Sequence, residues 1–562
     1  MTGGPRLNAS FPSYNTLFFL ASTRNSQLVC TFSHRTTMPT HRLFHGSVIT
    51  PVSVHKTEFW PQALLCVNSA GIIEWIVSDV KSSQLQTVAL EKGLVLDDSV
   101  EIYELRHGEW LMPGFIDTHT VSHTTRILIP EIDHVTRSTR LNSPISELFH
   151  SGGQYELLEW LNNVTFPTES RFHDTTFAER VYSAVVDRVL NSGTTTCCYY
   201  GTLHLEATQV LAKLTHDKGQ RAFVGVSKCN MNRESGKYQE DSTSQSIENT
   251  KKLISYIRAL SPNSAPLVHP ILTPRFAISC TGDLLDSLGD MVKADPTLAI
   301  QTHISENLGE IDFTLKLFPK ASTYTDVYKR AGLLTDRTIL AHAVHLSNDE
   351  MEEIKSCGSG ISHCPTSNFY LNSGVARVGE MLDRGLKVGL GTDCSGGFSP
   401  SMLTAVRDAG IASKVIGMTS VGSLPSPYAT STLTNGKAGA AENGQATTCN
   451  GIVTPKLADK TLPLSALLHL STLGGAQLCN LEQTTGSLEA GKEFDAVLVS
   501  VRPETGNANV WANLPAGVNS SAGEEMPADS LEALLEKFFF CGSDRNVRRV
   551  WVRGRLVGGV EK

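Results

Sequence analysis

At 562 residues, 40% hydrophobic and 19% charged, the chain can bury a large core, and its length suits one decorated barrel as well as several average domains. A net charge of −8 and a pI near 6.1 supply no basic footprint for nucleic acid. Mean hydropathy of −0.09, with no apolar run of spanning length, argues against a membrane protein.

Residues 1–57 carry no Asp or Glu and only five basic residues, so 1–37 reads as a disordered or targeting-like extension ahead of Met38. From 38 to 109, short apolar runs alternate with turns, as in Gly46–Pro51, Leu64–Val67 and Gly71–Ile76. Matching pieces, Ala496–Val499 and Val547–Val557, lie in 485–562, so 38–109 plus 485–562 is expected to form one composite β-sandwich.

Between them, 110–484 alternates strand and helix signals, which predicts an α/β fold with a (β/α)8 barrel. Phe177–Leu190 is amphipathic and ends at Asn-Ser-Gly, Gly193–Tyr200 is a β-branched strand, and Leu205–Lys218 is the next helix. A strand follows over Arg221–Val226, a helix over Glu248–Leu260, and a strand over Val268–Arg275 that runs into a turn. Residues 413–460, rich in Ser, Thr, Gly, Ala and Asn, read as a low-complexity surface insertion. The 12 cysteines are scattered and form no Cys-x-x-Cys, which favours a reducing, cytoplasmic setting and opposes the Pro-Cys-x-x-Cys zinc deaminase architecture.

Four apolar runs end in polar side chains: Pro113-Gly-Phe-Ile-Asp117-Thr-His119, His303-Ile-Ser-Glu306, Ala341-His342 and Gly391-Thr-Asp393. Strand ends carrying His, His and Asp are how a parallel barrel assembles a metal site on one face. In this order and spacing the motifs resemble the amidohydrolase superfamily of metal-dependent hydrolases. More narrowly, Gln154–Leu161, Thr165–Glu169, Gly193–Thr196, Gly219–Gly225, Pro274–Phe276, His303–Asn307, His363–Asn368 and Asp544–Asn546 are similar to segments of the guanine deaminases.

That resemblance implies one zinc ion per subunit held by His119, His303 and Asp393, a guanine substrate, a homodimer and a cytoplasmic location. Glu306 corresponds to the proton shuttle, and Asp393 both binds metal and takes a proton from the attacking water. His342 corresponds to the histidine that holds the water or the departing group, while Arg275 and Phe276 match the pair that grips the purine. His345 reads as a surface residue. Taken singly, each has a blander role: a core histidine, an exposed loop glutamate, an N-cap aspartate, an ordinary ion-pair arginine.

One motif is broken. The first strand should read His-x-His, because alternate strand residues share a face and both imidazoles reach one metal. Here it reads His119-Thr120-Val121, and the substrate-binding glutamine expected just beyond is also missing from its place. Residues 121–151 are an aberrant insertion, compatible at its ends with splice-site codons. His123 would lie roughly 13 Å beyond His119 on a continuing strand, at about 3.3 Å per residue. His134 and His150 have weaker claims. Such a chain is expected to hold zinc weakly and turn over poorly. Other readings are an aminohydrolase of another purine, a pterin or a triazine, or an inactive paralogue kept as a scaffold.

Overall fold

A computed structural model of the chain describes residues 39–121, 155–228, 238–261, 265–420, 447–449, 452–514 and 528–562. The expected extension at 1–37 and nearly all of the expected insertion at 121–151, with His123, His134 and His150, lie outside them.

Eight parallel strands follow one another around the sheet: Phe115–Val121, Thr194–Tyr200, Arg221–Gly225, Val268–Pro274, Ala299–Ile304, Thr338–His342, Gly360–His363 and Lys387–Leu390. Helices cover their outer side, so the strands are buried on both faces. That burial explains why Thr194–Tyr200 and Arg221–Gly225 show no polar alternation. The first and eighth strands stand at the ends of the sheet order. Hydrogen bonds bridge that seam, from Asp393 N to His119 O at 2.8 Å and from Thr118 Oγ1 to Leu390 O at 2.9 Å.

Local signals set the helices. Helix Thr175–Asn191 begins where Asp174 accepts from the backbone nitrogens of Thr176 and Phe177, at 2.9 and 3.3 Å. It buries Phe177, Val181, Val185 and Val189 on one stripe. Helix Leu205–Lys218 stops where Gly219 takes φ +78°, a left-handed turn that suits glycine. Helix Met402–Ser420 continues through 413–420, the start of the expected insertion, because Leu403, Val406, Ala409 and Ala412 keep one buried face. At the other end Asp383 accepts from the backbone of Leu457 and Ala458 at 2.8 Å each, so this part of the stretch is anchored.

Where a composite β-sandwich is expected, segments from both sides of the barrel share one mixed sheet. Its order is Arg555–Gly558, Val547–Val552, Ala496–Ser500, Glu109–Pro113, His41–Ser53, Lys56–Asn68 and Ile73–Ser78, with Val100–Glu104 parallel to His41–Ser53. Phe44 lies at its centre, with ring centroids 4.7 Å from Tyr103, 4.8 Å from Phe494 and 5.4 Å from Trp551. Arg221, on the third barrel strand, reaches this sheet: Nε is 2.9 Å from Asp495 Oδ2 and Nη2 is 2.5 Å from Glu493 Oε2. No helix among the described residues is long and apolar enough to cross a membrane.

Candidate active site

The carboxyl ends of the strands bring the predicted residues into one place. His119 comes from the first strand, His303 from the fifth, His342 from the end of the sixth, and Asp393 from the turn after the eighth. One ligand nitrogen from each of the three histidines lies within 4.8 Å of the other two. Asp393 Oδ1 is 3.2 Å from His119 Nε2, and its Oδ2 is 3.9 Å from His342 Nε2. The side chains of His119, His342 and Asp393 are almost wholly removed from solvent, and His303 is partly buried.

Backbone strain is concentrated here. Ser305, His342, Ala343 and Asp393 all take positive φ, between +41° and +71°. Each such residue costs on the order of 1–3 kcal/mol and persists only where its surroundings dictate it. At Asp393 the fixing group is Asp117, which accepts from Thr392 N at 3.0 Å and from Thr392 Oγ1 at 2.5 Å. Asp117 also receives the Thr120 hydroxyl at 2.8 Å.

Two imidazoles are oriented from behind. His303 Nδ1 donates to Arg275 O at 2.5 Å, and His342 Nδ1 donates to Asn368 Oδ1 at 2.9 Å. Each bond fixes the tautomer that leaves Nε2 with a lone pair facing the centre. His342 Nε2 and both ring nitrogens of His119 are buried without a hydrogen bond. Buried polar atoms left unpaired cost roughly 1–3 kcal/mol each. Three imidazoles beside a carboxylate are a donor set for a divalent cation, which would satisfy those nitrogens.

The acidic groups diverge. Burial pushes the Glu306 carboxyl up to about 7, against a smaller opposing pull from His342. Its Oε2 lies 3.6 Å from His342 Nε2, and Ser373 Oγ donates to its Oε1 at 3.0 Å. Burial would also raise Asp393, yet the adjacent His119, with His342 and His303, holds it well below the usual carboxylate range. One site therefore contains a carboxyl poised near neutrality and a firm carboxylate.

A small cleft opens above these groups. Arg275 and Phe276 form part of its wall, and Leu157, Trp160 and Leu161 roof it. Arg275 Nη1 is 2.7 Å from buried Glu169 Oε1, and its guanidinium lies 5.4 Å from the Phe166 ring centroid. Val121, two residues beyond His119, also lines the cleft with an aliphatic side chain.

His345 is not the surface residue expected: it is half-buried, with Nε2 2.8 Å from Ser373 O, because the turn carrying Ser373 folds over it. Sequence reasoning assigned no role to Asp117, Glu169, Asn368 or Ser373. Asp117 lay in the leading motif, Glu169 and Asn368 lay in quoted segments, and nothing local marked Ser373.

A parallel barrel with this cluster at its strand ends defines a class, and the chain belongs to the amidohydrolase family, whose profile matches residues 110–421 and 445–557. Its relatives narrow the comparison. The chain is 35% identical to a guanine deaminase of Dictyostelium discoideum over 519 residues, 92% of this chain and 98% of the relative. It is also 35% identical to the guanine deaminase of Mus musculus over 521 residues, 93% and 97% of the two chains. Its fold is similar to the crystal structure of guanine deaminase from C. acetobutylicum with bound guanine. There the TM-score is 0.70 at 26% identity, covering 92% of this chain and 99% of that one.

Proposed function

We propose that this chain hydrolyses guanine to xanthine and ammonia with a zinc ion held through His119, His303 and Asp393. The observation that carries the reading is the convergence of three histidines with Glu306 and Asp393 at one cleft that Arg275 and Phe276 also line. Family membership and the guanine deaminase relatives supply the substrate class.

A bound divalent cation of this kind lowers the pKa of water to about 7, making hydroxide available near neutrality. The chain's own groups do the rest. Asp393 accepts a proton from the attacking water. Glu306, whose burial favours its protonated form, hands one to the ring nitrogen beside the amino-bearing carbon. Two carboxyls kept apart in pKa thus divide the base and acid roles. The amino group leaves as ammonia with the proton that Asp393 took, the hydroxyl proton returns to Glu306 as the carbonyl forms, and His342 is placed to hold the water or the departing group. Arg275, steadied by Glu169, donates to the purine carbonyl, and Phe276 packs against the base.

The test is a zinc-loaded preparation offered guanine, with xanthine and ammonia expected in equal amounts. Glu306→Gln should slow it by roughly 10²–10⁴-fold, the usual contribution of a positioned acid–base group. Faster ammonia release from another purine, a pterin or a triazine would displace guanine as the substrate.

A further inference from the structure

The amino ends of the barrel strands, on the face opposite the histidine cluster, surround a separate cavity of about 370 Å³. Arg258, His269 and Arg337 are its basic side, and Phe223, Leu298 and Leu481 belong to its apolar lining. His269 is the second residue of the fourth strand, while Leu298 and Arg337 stand immediately before the fifth and sixth. No Asp or Glu lines the cavity. Arg337 is half-buried, and its guanidinium makes no hydrogen bond or ion pair among the described residues. Arg258 gives one arm to Asp295, with Nη2 2.5 Å from Oδ2. Glu493 is already held between Arg221 and Arg553. Burial, reinforced by the positive Arg221, Arg553 and Arg337, pushes His269 down to about 4. Its neutral ring stacks on Phe223, with centroids 5.0 Å apart, and keeps one N–H to donate.

We propose that this cavity binds a small phosphate monoester with a flat apolar body, the phosphate seated on Arg337, Arg258 and His269. A half-buried guanidinium without a counterion is costly, and an anion removes that cost. The planar fork of N–H groups on Arg337 matches phosphate oxygens and can hold two of them at once. Leu298 and Leu481 offer the body of the ligand a dry wall, which bare phosphate cannot use. The site lies across the barrel from the hydrolytic cleft and does not depend on which reaction that cleft performs.

The test is isothermal titration calorimetry of the full chain with phenyl phosphate, inorganic phosphate and phenol. One phenyl phosphate per chain is expected, bound roughly 10-fold or more tightly than inorganic phosphate, as burial of a phenyl ring gives. Phenol should produce no binding heat. Arg337→Gln should weaken phenyl phosphate by roughly 10–100-fold, the loss of a charge-assisted hydrogen bond. The same variant without ligand should melt near the native temperature, because Arg337 has no partner to lose. Arg275→Gln alters the opposite cleft and should leave phenyl phosphate affinity unchanged. No binding to the native chain, equal affinity for inorganic phosphate, or native-like binding by Arg337→Gln would each overturn the proposal. Loss of binding in folded Arg275→Gln would also overturn it, by placing the phosphate in the hydrolytic cleft.

Discussion

Asp117 accepts hydrogen bonds from both the backbone nitrogen and the hydroxyl of Thr392, at 3.0 and 2.5 Å, and so ties the first barrel strand to the turn that presents Asp393. Asp117→Asn would set an NH2 group against donors on Thr392, Thr120 or His119. The expected loss is about 1–3 kcal/mol of stability, read by urea unfolding. Native stability in the variant would show that the seam is held elsewhere.

Glu306 gives a pH dependence whose sign is fixed by its burial. The folded carboxyl titrates near 7 and the unfolded one near its ordinary 4.5, so the folded state keeps a proton that the unfolded state loses. Stability contributed by that proton is full below about pH 4.5 and is lost as pH rises through about 7, a change of about 3 kcal/mol. In metal-free protein, Glu306→Gln should remove this slope. Melting curves of the two proteins that stay parallel from pH 4.5 to 7 would contradict it.

Arg221 is almost fully buried between Asp495 and Glu493 and joins the barrel to the terminal sheet. Arg221→Met leaves buried carboxylates short of their cation and should cost about 3–5 kcal/mol. Thermal unfolding measures it. A small effect would mean that Arg553, 2.8 Å from Glu493 through Nε, is sufficient.

Glu169 touches Arg275 rather than the histidine cluster. Glu169→Gln should therefore raise KM for guanine by roughly 10-fold with kcat little changed, as loss of a charge-assisted hydrogen bond that orients a binding group. A fall in kcat at constant KM would instead put Glu169 in the chemistry.

The histidines, Glu306 and Asp393 were legible in the sequence because each ends an apolar strand, so a few adjacent residues carry both the structural and the chemical signal. Helix Leu205–Lys218 was legible because amphipathic periodicity and Gly219 mark its length and end. The partners behind the site were not. Asn368 is 26 residues from His342 and Glu169 is 106 from Arg275, and only the closed barrel makes them neighbours. Composition misled at 413–420, where a small-residue stretch remains helical because Ala412 and Ser413 face a packed layer. Val121 was visible as a missing histidine, but its place on the cleft wall follows from the strand's register.

The most direct measurement is ammonia release from guanine by zinc-loaded native chain and Val121→His, with bound zinc counted in both. A centre complete except for one imidazole predicts roughly 10-fold or greater gain in kcat/KM on restoring it. Equal, full zinc occupancy with no gain in guanine turnover would contradict that claim.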